Sequence, residues 1–258
     1  MLISIVVTLR NEEESIAKLL DSLLLQEKPF EIVIVDAFST DKTRDIIKKY
    51  SKKHPEISLY KKRGSRGDGR NYGVSKAKGK YIAFIDGGCT ADKNWLKHLR
   101  KKIKDGYSVV AGKTVDTGYF KDIKRVGIDY NGYDITYPSC NLVYKKDLFD
   151  KIKGFDTNFI CAEDVDLNLR AVDAGEKITS TDKAVVYRES ATGPLQLMKQ
   201  AFWYGYGRKQ MTFKHGRLWM NYSAQKTIAS HIHIKSLVRL VFGALGYITC
   251  KIFRDKIR

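Results

Sequence analysis

The chain of 258 residues holds four cysteines, Cys89, Cys140, Cys161 and Cys250, and no two of them form a C-x-x-C pair. No histidine cluster accompanies them. A zinc site is therefore not expected, and the thiols read as reduced groups of a cytosolic protein. A secretory leader is not expected either. Met1 to Thr8 is apolar but short, has no basic stretch before it, and meets Arg10, Asn11 and three acids at once, so it reads as a first strand. No G-x-G-x-x-G follows that strand, which argues against a dinucleotide-binding fingerprint. Internal repeats and low-complexity linkers are also missing, and one domain with an appendage is the default.

What is abundant is positive charge. Forty-seven Lys and Arg against 29 Asp and Glu give a formal net charge of +18. Such a surface attracts polyanions: nucleic acid, anionic lipid or phosphorylated substrates. No nucleic-acid recognition motif is visible, so nucleic acid is not the expected partner. The sequence is 43% hydrophobic and 29% charged, which is globular rather than disordered.

Hydrophobic periodicity alternates between short apolar runs and helical spacing. Ile3 to Leu9, Phe30 to Val35, Ile57 to Tyr60 and Tyr81 to Ile85 read as strands. Glu12 to Leu25, the segment through Ile46, Ile47 and Tyr50 (capped by Ser39 to Asp41), Asn71 to Lys78 and Trp95 to Lys104 read as helices. Further on, Val109 to Thr114, Ser139 to Tyr144 and Ala184 to Tyr187 read as strands, with a loop-rich stretch from Thr117 to Pro138. Glu163 to Ala174 is a predicted helix stopped by Gly175, and the chain becomes helical again from Leu195. Alternation of this kind predicts an α/β fold with a mixed, mostly parallel sheet flanked by helices. Ligands bind such sheets beyond the carboxyl ends of the strands, where Asn11, Asp36 and Asp86 fall.

Two segments invite chemistry. Arg63 to Arg70 is rich in Gly and Arg, and a loop of that composition suits a diphosphate; a plain surface loop explains it equally well. Glu163-Asp164-Val165-Asp166 opens a helix, where acids suit the macrodipole; a general base is the sharper alternative.

The ordered set Val7-Thr8-Leu9-Arg10-Asn11-Glu12, Val35-Asp36-Ala37-Phe38-Ser39-Thr40-Asp41, Gly69-Arg70-Asn71-Tyr72-Gly73, Phe84-Ile85-Asp86-Gly87-Gly88-Cys89, Gly154-Phe155-Asp156 and Glu163-Asp164-Val165-Asp166-Leu167 resembles the family 2 glycosyltransferases, over roughly residues 2–210. The resemblance implies a GT-A fold, Rossmann-like and nucleotide-sugar-binding. It also implies inverting transfer from a nucleoside-diphosphate sugar of UDP or GDP type to a glycan or lipid-linked acceptor. It assigns Thr8, Asn11 and Glu12 to the nucleotide pocket, Asp36 to the base or ribose, and Arg70 to the base or diphosphate. Asp86 becomes the first acid of D-x-D, near ribose and metal, and Asp164, beside Glu163, the catalytic base.

The sequence departs from that family at linked positions. Gly88 stands where the second metal-binding acid of D-x-D belongs. Arg188, in Val186-Tyr187-Arg188-Glu189, stands where relatives often carry a histidine ligand. A Mn or Mg site on Asp86, helped by Glu189 or Asp92, is thus in doubt. A guanidinium is a permanent bidentate cation, and Arg188 is expected to take over the metal's neutralising role. The competing expectation is a degenerate, non-catalytic nucleotide-sugar-binding relative. Asp92 is expected to cap a helix, Asp156 to hold a loop, and Tyr130, Tyr133 and Tyr137 to pack or to stack on a sugar. The catalytic domain is assigned to residues 1–215. Residues 216–258, with Leu237 to Cys250 apolar apart from Arg239 and flanked by Lys251, Arg254, Lys256 and Arg258, are assigned to a basic amphipathic helical segment. That apolar stretch is too short for a comfortable span of about 20 residues, and an interfacial helix fits it better. The expected location is cytoplasmic, peripheral at the inner face of the cell membrane. Oligomeric state is not set by the sequence.

Overall fold

The structure is a computed structural model that describes residues 1–118, 127–189, 193–216 and 234–253. The first half runs β1 (Ile3–Leu9), α1 (Ile16–Leu24), β2 (Phe30–Asp36), α2 (Thr43–Lys53), β3 (Ile57–Lys61), α3 (Arg66–Lys76), β4 (Tyr81–Asp86), β5 (Cys89–Ala91) and α4 (Trp95–Lys104). There follow β6 (Val109–Asp116), a small hairpin of β7 (Asp129–Tyr130) and β8 (Tyr133–Asp134), a 3-10 turn at Ser139–Asn141, β9 (Leu142–Lys145), α5 (Lys146–Lys151), α6 (Glu163–Asp173), β10 (Ile178–Arg188), α7 (Pro194–His215) and α8 (Ile234–Phe253).

Eight strands form one sheet in the order β3-β2-β1-β4-β9-β6-β10-β5. The first four are mutually parallel, β9 is antiparallel to both of its neighbours, β10 is parallel to β6, and β5 is antiparallel to β10. The expected mixed, mostly parallel sheet is therefore present. Because successive side chains on a strand face opposite ways, β1 feeds two cores. Ile3, Ile5 and Val7 pack with Leu19, Leu20 and Leu23 of α1 and with Trp95 and Leu99 of α4. Val6 packs on the other face with Val74 of α3, Phe84, Phe149 and Leu167 of α6.

Several boundaries differ from expectation, for identifiable reasons. The Gly/Arg-rich segment is not a loop, because α3 begins at Arg66. Ser65 and Asp68 form a reciprocal capping box at its start. The glycines serve close approach: a Cβ at Gly73 would stand 2.5 Å from Val6 Cγ1, and one at Gly69 would stand 3.1 Å from Thr8 Cγ2. Helix α1 starts only at Ile16, and α2 at Thr43 has no side-chain cap; Asp41 instead accepts from the amides of Thr43 and Glu13. Strand β10 is much longer than its apolar tip, with a register shift between Thr181 and Val185. Helix α8 spans 20 residues and is long and apolar enough, by length and composition, to cross a membrane. The helix extends beyond the apolar stretch read from the sequence, because flanking Ile234 to Ser236 and Lys251 to Phe253 join it.

Candidate active site

The strand register assembles the carboxyl-end residues. Leu9 pairs with Asp36 and Thr8 with Asp86, so Thr8, Asp36 and Asp86 lie side by side on three adjacent parallel strands. Beyond β1 the chain turns at Asn11, whose φ of +55° is left-handed. Asn11 Oδ1 accepts from the Thr40 amide at 2.8 Å, and its own amide donates to Ser39 Oγ. The Glu12 amide donates to Thr43 Oγ1 at 2.8 Å. These bonds lock the loop after β1 to the loop after β2. Asp36 is wholly buried and accepts from Ser39, with Arg44 Nε at 3.8 Å. Its carboxylate shapes this loop pair from within.

Arg70 is the connecting residue. It projects from α3, is 2% exposed, and donates from Nη2 to Asp86 Oδ1 at 2.8 Å and from Nη1 to Glu163 Oε1 at 2.7 Å. One guanidinium thus joins the end of β4 to the start of α6. Burial opposes the charge on Asp86, but Arg70, with Arg66 and Arg188 further off, overcomes that and holds its carboxyl below the usual range.

Asp164 sits in the first turn of α6, which Ala162 enters in left-handed conformation at φ +69°. Its Oδ2 accepts from the Ser139 amide at 3.2 Å and its Oδ1 from the Val165 amide at 2.9 Å. Burial first, then the neighbouring Glu163 charge, push its carboxyl up to about 6, against the pull of Arg70 and the two amides. The two adjacent acids therefore play different parts. Glu163 is tied to Arg70, and Asp164 is a half-buried carboxyl raised toward neutral pH, a perturbation of the kind that functional sites collect. The third acid, Asp166, is fully buried among Arg170, Lys214 and His215, with contacts of 2.7 Å to each, and its carboxyl is held down to about 2. Burial opposes that fall, and the bonds from His215 and Lys214 lead those that cause it. It braces α6 against the end of α7.

Arg188 ends β10 opposite Cys89 of β5. Its Nε donates to Asp116 Oδ1 at 2.8 Å, and its Nη1 reaches Cys140 Sγ at 3.9 Å. Its charge acts on Asp86. The site therefore brings Asp86, Arg70, Glu163, Asp164 and Arg188 together, and sets Thr8, Asn11, Glu12 and Asp36 along the neighbouring loops. A divalent cation finds a poor donor set here. Asp86 is committed to Arg70, Gly88 offers no carboxylate, Asp92 turns to the Asn94 amide at 2.9 Å, and Glu189 lies beyond an arginine. Glu12 is a carboxylate close by, its Oε2 3.6 Å from where a Cβ at Gly88 would stand. Among the described residues no group of three His, Cys, Asp or Glu is arranged to hold a metal.

Some neighbours escaped the sequence reading. Ser139, Cys140 and Asp116 come from segments without any motif, and only the fold carries them to Asp164 and Arg188. Asp156 fulfils its expected loop-holding part, accepting from the Asn158 amide and pairing with Lys214 at 2.6 Å. Tyr130 donates to Asp173, and Tyr130, Tyr133 and Tyr137 pack against the core on the α6 side.

Residues 4–162 match Glycosyl transferase family 2. The chain is 25% identical over 242 residues to glycosyltransferase AglE of Haloferax volcanii, covering 81% of this chain and 73% of that one. It is 32% identical over 159 residues to a poly(ribitol-phosphate) beta-glucosyltransferase of Bacillus spizizenii, covering 58% of this chain but only 24% of that much longer relative. It is 29% identical to the Escherichia coli UDP-Glc:alpha-D-GlcNAc-diphosphoundecaprenol beta-1,3-glucosyltransferase WfaP, covering 77% and 81%. Among solved structures, Staphylococcus aureus TarS 1–349 with UDP-GlcNAc superposes with a TM-score of 0.64 at 20% identity, over 96% of this chain and 81% of that one. The Pyrobaculum calidifontis mannosyltransferase PcManGT with GDP-Man and Mn2+ superposes with a TM-score of 0.69 at 16% identity, over 97% and 75%. The matched segment contains the strand ends at Thr8, Asp36 and Asp86 together with Arg70, and the chain belongs to glycosyl transferase family 2, with the GT-A fold.

Proposed function

We propose that the chain transfers a glycosyl residue, with inversion, from a UDP- or GDP-sugar to an acceptor hydroxyl or phosphate on a lipid-linked molecule at a membrane face. The observation that carries this reading is Asp164, a carboxylate raised to about 6 beside the Arg70-bridged pair of Asp86 and Glu163. In the reaction, Asp164 takes the acceptor's proton as its oxygen attacks the anomeric carbon. The bond from that carbon to the diphosphate breaks, and the nucleoside diphosphate leaves with the electron pair. The nucleotide lies along the loops of Thr8, Asn11, Glu12 and Asp36. Arg188 supplies positive charge toward the departing diphosphate, the role a metal fills when two acids hold it.

The membrane part of the reading is supported by α8. Its outer face exposes Leu237, Leu240, Val241, Leu245, Ile248 and Ile252, with Lys251 among them, on a chain of net charge +18. Anionic lipid complements that charge, and an apolar stripe of this length suits the headgroup boundary. The cytosolic, inner-face location is part of the same proposal. A second reading, a non-catalytic nucleotide-sugar binder, is favoured by Gly88 and by the commitment of Asp86 to Arg70.

One assay separates these. The full chain is incubated with UDP-GlcNAc or GDP-mannose and a polyprenyl-diphosphate-sugar acceptor in vesicles, with Mn2+ or with excess EDTA, and the anomeric configuration of the product is read by NMR. The expected outcome is an inverted product formed in EDTA and lost in Arg188→Ala. A retained configuration or strict Mn2+ dependence overturns the mechanism. Donor binding without transfer under every condition establishes the second reading.

A further inference from the structure

Phe38 lies two residues past the end of β2, is 38% exposed, and has a φ of +60°. That left-handed conformation suits glycine and is costly for a bulky residue. Its neighbours hold it there. The Ala37 amide donates to the Leu9 carbonyl at 2.9 Å, the Ser39 amide donates to Asp36, and Ser39 Oγ accepts from the Asn11 amide. None of these bonds uses the Phe38 side chain, and a glycine at this position would permit them all with less strain. Strain of this kind gathers at functional sites, and what Phe38 adds over glycine is an exposed ring.

The backbone brings Arg63 to that ring. The Lys62 amide donates to the Asp36 carbonyl at 3.1 Å, which seats the turn after β3 beside the turn after β2. Arg63 is exposed, and its guanidinium lies 4.6 Å from the centre of the Phe38 ring. Gly64, at φ +136°, then turns the chain into α3, which carries Arg70. Asp36, the acid at this end of the sheet edge, faces inward: it is wholly buried, and Ser39 and Arg44 occupy its carboxylate. A base arriving at the ends of β2 and β3 therefore meets the Phe38 ring and the Arg63 guanidinium rather than the Asp36 carboxylate.

We propose that Phe38 and Arg63 form the platform on which the donor's base stacks, and that Arg63 selects guanine, a choice that rests on the nucleotide-sugar reading of the same edge. Bases stack on aromatic faces and on guanidinium planes, and a two-ring base covers more of both. A guanidinium has donors only. Guanine offers it two adjacent acceptors, O6 and N7, whereas uracil offers a single carbonyl on that edge and adenine and cytosine place an amino donor there. The sheet order fits this placement. From the end of β2 to Asp86 on β4 is two strand spacings, roughly 10 Å, about the extent of a nucleoside, so a base on the platform directs its diphosphate toward Asp86 and Arg70. The platform is made within residues 36–64 and is independent of α7 and α8, which are joined to one another by main-chain contact at Gly205 and Gly243. Base choice can therefore be measured without a membrane.

The test is titration calorimetry of the full chain with GDP, UDP, ADP, CDP and inorganic pyrophosphate, with Mn2+ or with EDTA. The parent is compared with Phe38→Gly, Arg63→Gln and, as a control for lost charge, Lys62→Gln. Phe38→Gly relieves the left-handed strain and should keep or raise the Tm, so a loss of binding in it is not a loss of fold. The expected result is GDP bound about ten-fold or more tightly than the other nucleotides. Arg63→Gln should remove that margin, Phe38→Gly should weaken GDP by about ten-fold or more, and neither should change pyrophosphate binding. Lys62→Gln should leave GDP binding as it is. UDP bound more tightly than GDP, parent-like GDP affinity in Phe38→Gly and Arg63→Gln, or a loss shared equally by pyrophosphate overturns the inference and leaves the nucleotide-sugar reading standing. Failure of the parent to bind any of the four nucleotides refutes that reading itself.

Discussion

Replacing Asp164 by asparagine should make the protein more stable at neutral pH while disabling it. The carboxyl has an ordinary value near 3.8 and is raised to about 6 in the fold, mainly by burial and then by Glu163. A raised acid means that the folded state holds its proton more tightly than the unfolded chain. The penalty for the charged form is therefore absent below about pH 4, grows between about 4 and 6, and is complete above that. Two pKa steps at about 1.4 kcal/mol each give a penalty of roughly 3 kcal/mol at pH 7.5. Asparagine removes it but loses part of what the carboxylate accepts from Ser139 and Val165, about 1 kcal/mol. A net gain of about 2 kcal/mol corresponds to a rise in Tm of roughly 4–8 °C for a chain of this size. The assay is thermal unfolding of both proteins at pH 7.5 and pH 4.5. The gain should be present at 7.5 and gone, or reversed, at 4.5, and transfer should fall by about 10²- to 10⁴-fold. A variant destabilised at pH 7.5, or equally shifted at both pH values, would refute the assignment of Asp164 as a strained base.

Two further expectations follow from the packing. Asp166→Asn should cost about 2–4 kcal/mol at pH 7, because Arg170, Lys214 and His215 lose the buried charge they surround. As this carboxyl is lowered to about 2, the parent's advantage is full above about pH 4 and should shrink as pH falls toward 2, which acid-titrated unfolding would detect. Gly73→Ala, despite a better helix former, should lose about 1–2 kcal/mol in denaturant unfolding, because the new methyl would press on Val6 Cγ1 at 2.5 Å; an unchanged midpoint would show that α3 can lift off β1.

How far the sequence spoke depended on the distance over which each residue acts. The strands at Ile3–Leu9, Phe30–Asp36 and Tyr81–Asp86 were legible because buried parallel strands are continuous apolar runs, and their ends named Asp36 and Asp86 correctly as edge residues. Trp95–Lys104 was legible from its helical spacing alone. The glycines at 67 and 69 misled, since glycine reads as a turn locally while here Gly69 lies against Thr8 of β1 and Gly67 against Phe155, both far along the chain. Most of β10 is polar or exposed, and its strand character comes from pairing with β6. The double engagement of Arg70 was invisible for the same reason: its partners lie 16 and 93 residues along the chain.

The glycine contacts between α7 and α8 have a consequence for the environment these helices tolerate. Most helix pairs are held by expelling water from apolar side chains, and that force vanishes when the surroundings are hydrocarbon. A pair whose main chains touch at Gly205–Gly243 and Phe202–Gly246 is held instead by dispersion over closely matched surfaces, as in small-residue contacts between helices within bilayers. Such a joint keeps its geometry whether its outer side is wet or oily. The placement of α8 against α7 would then be the same in a buffer and against acyl chains.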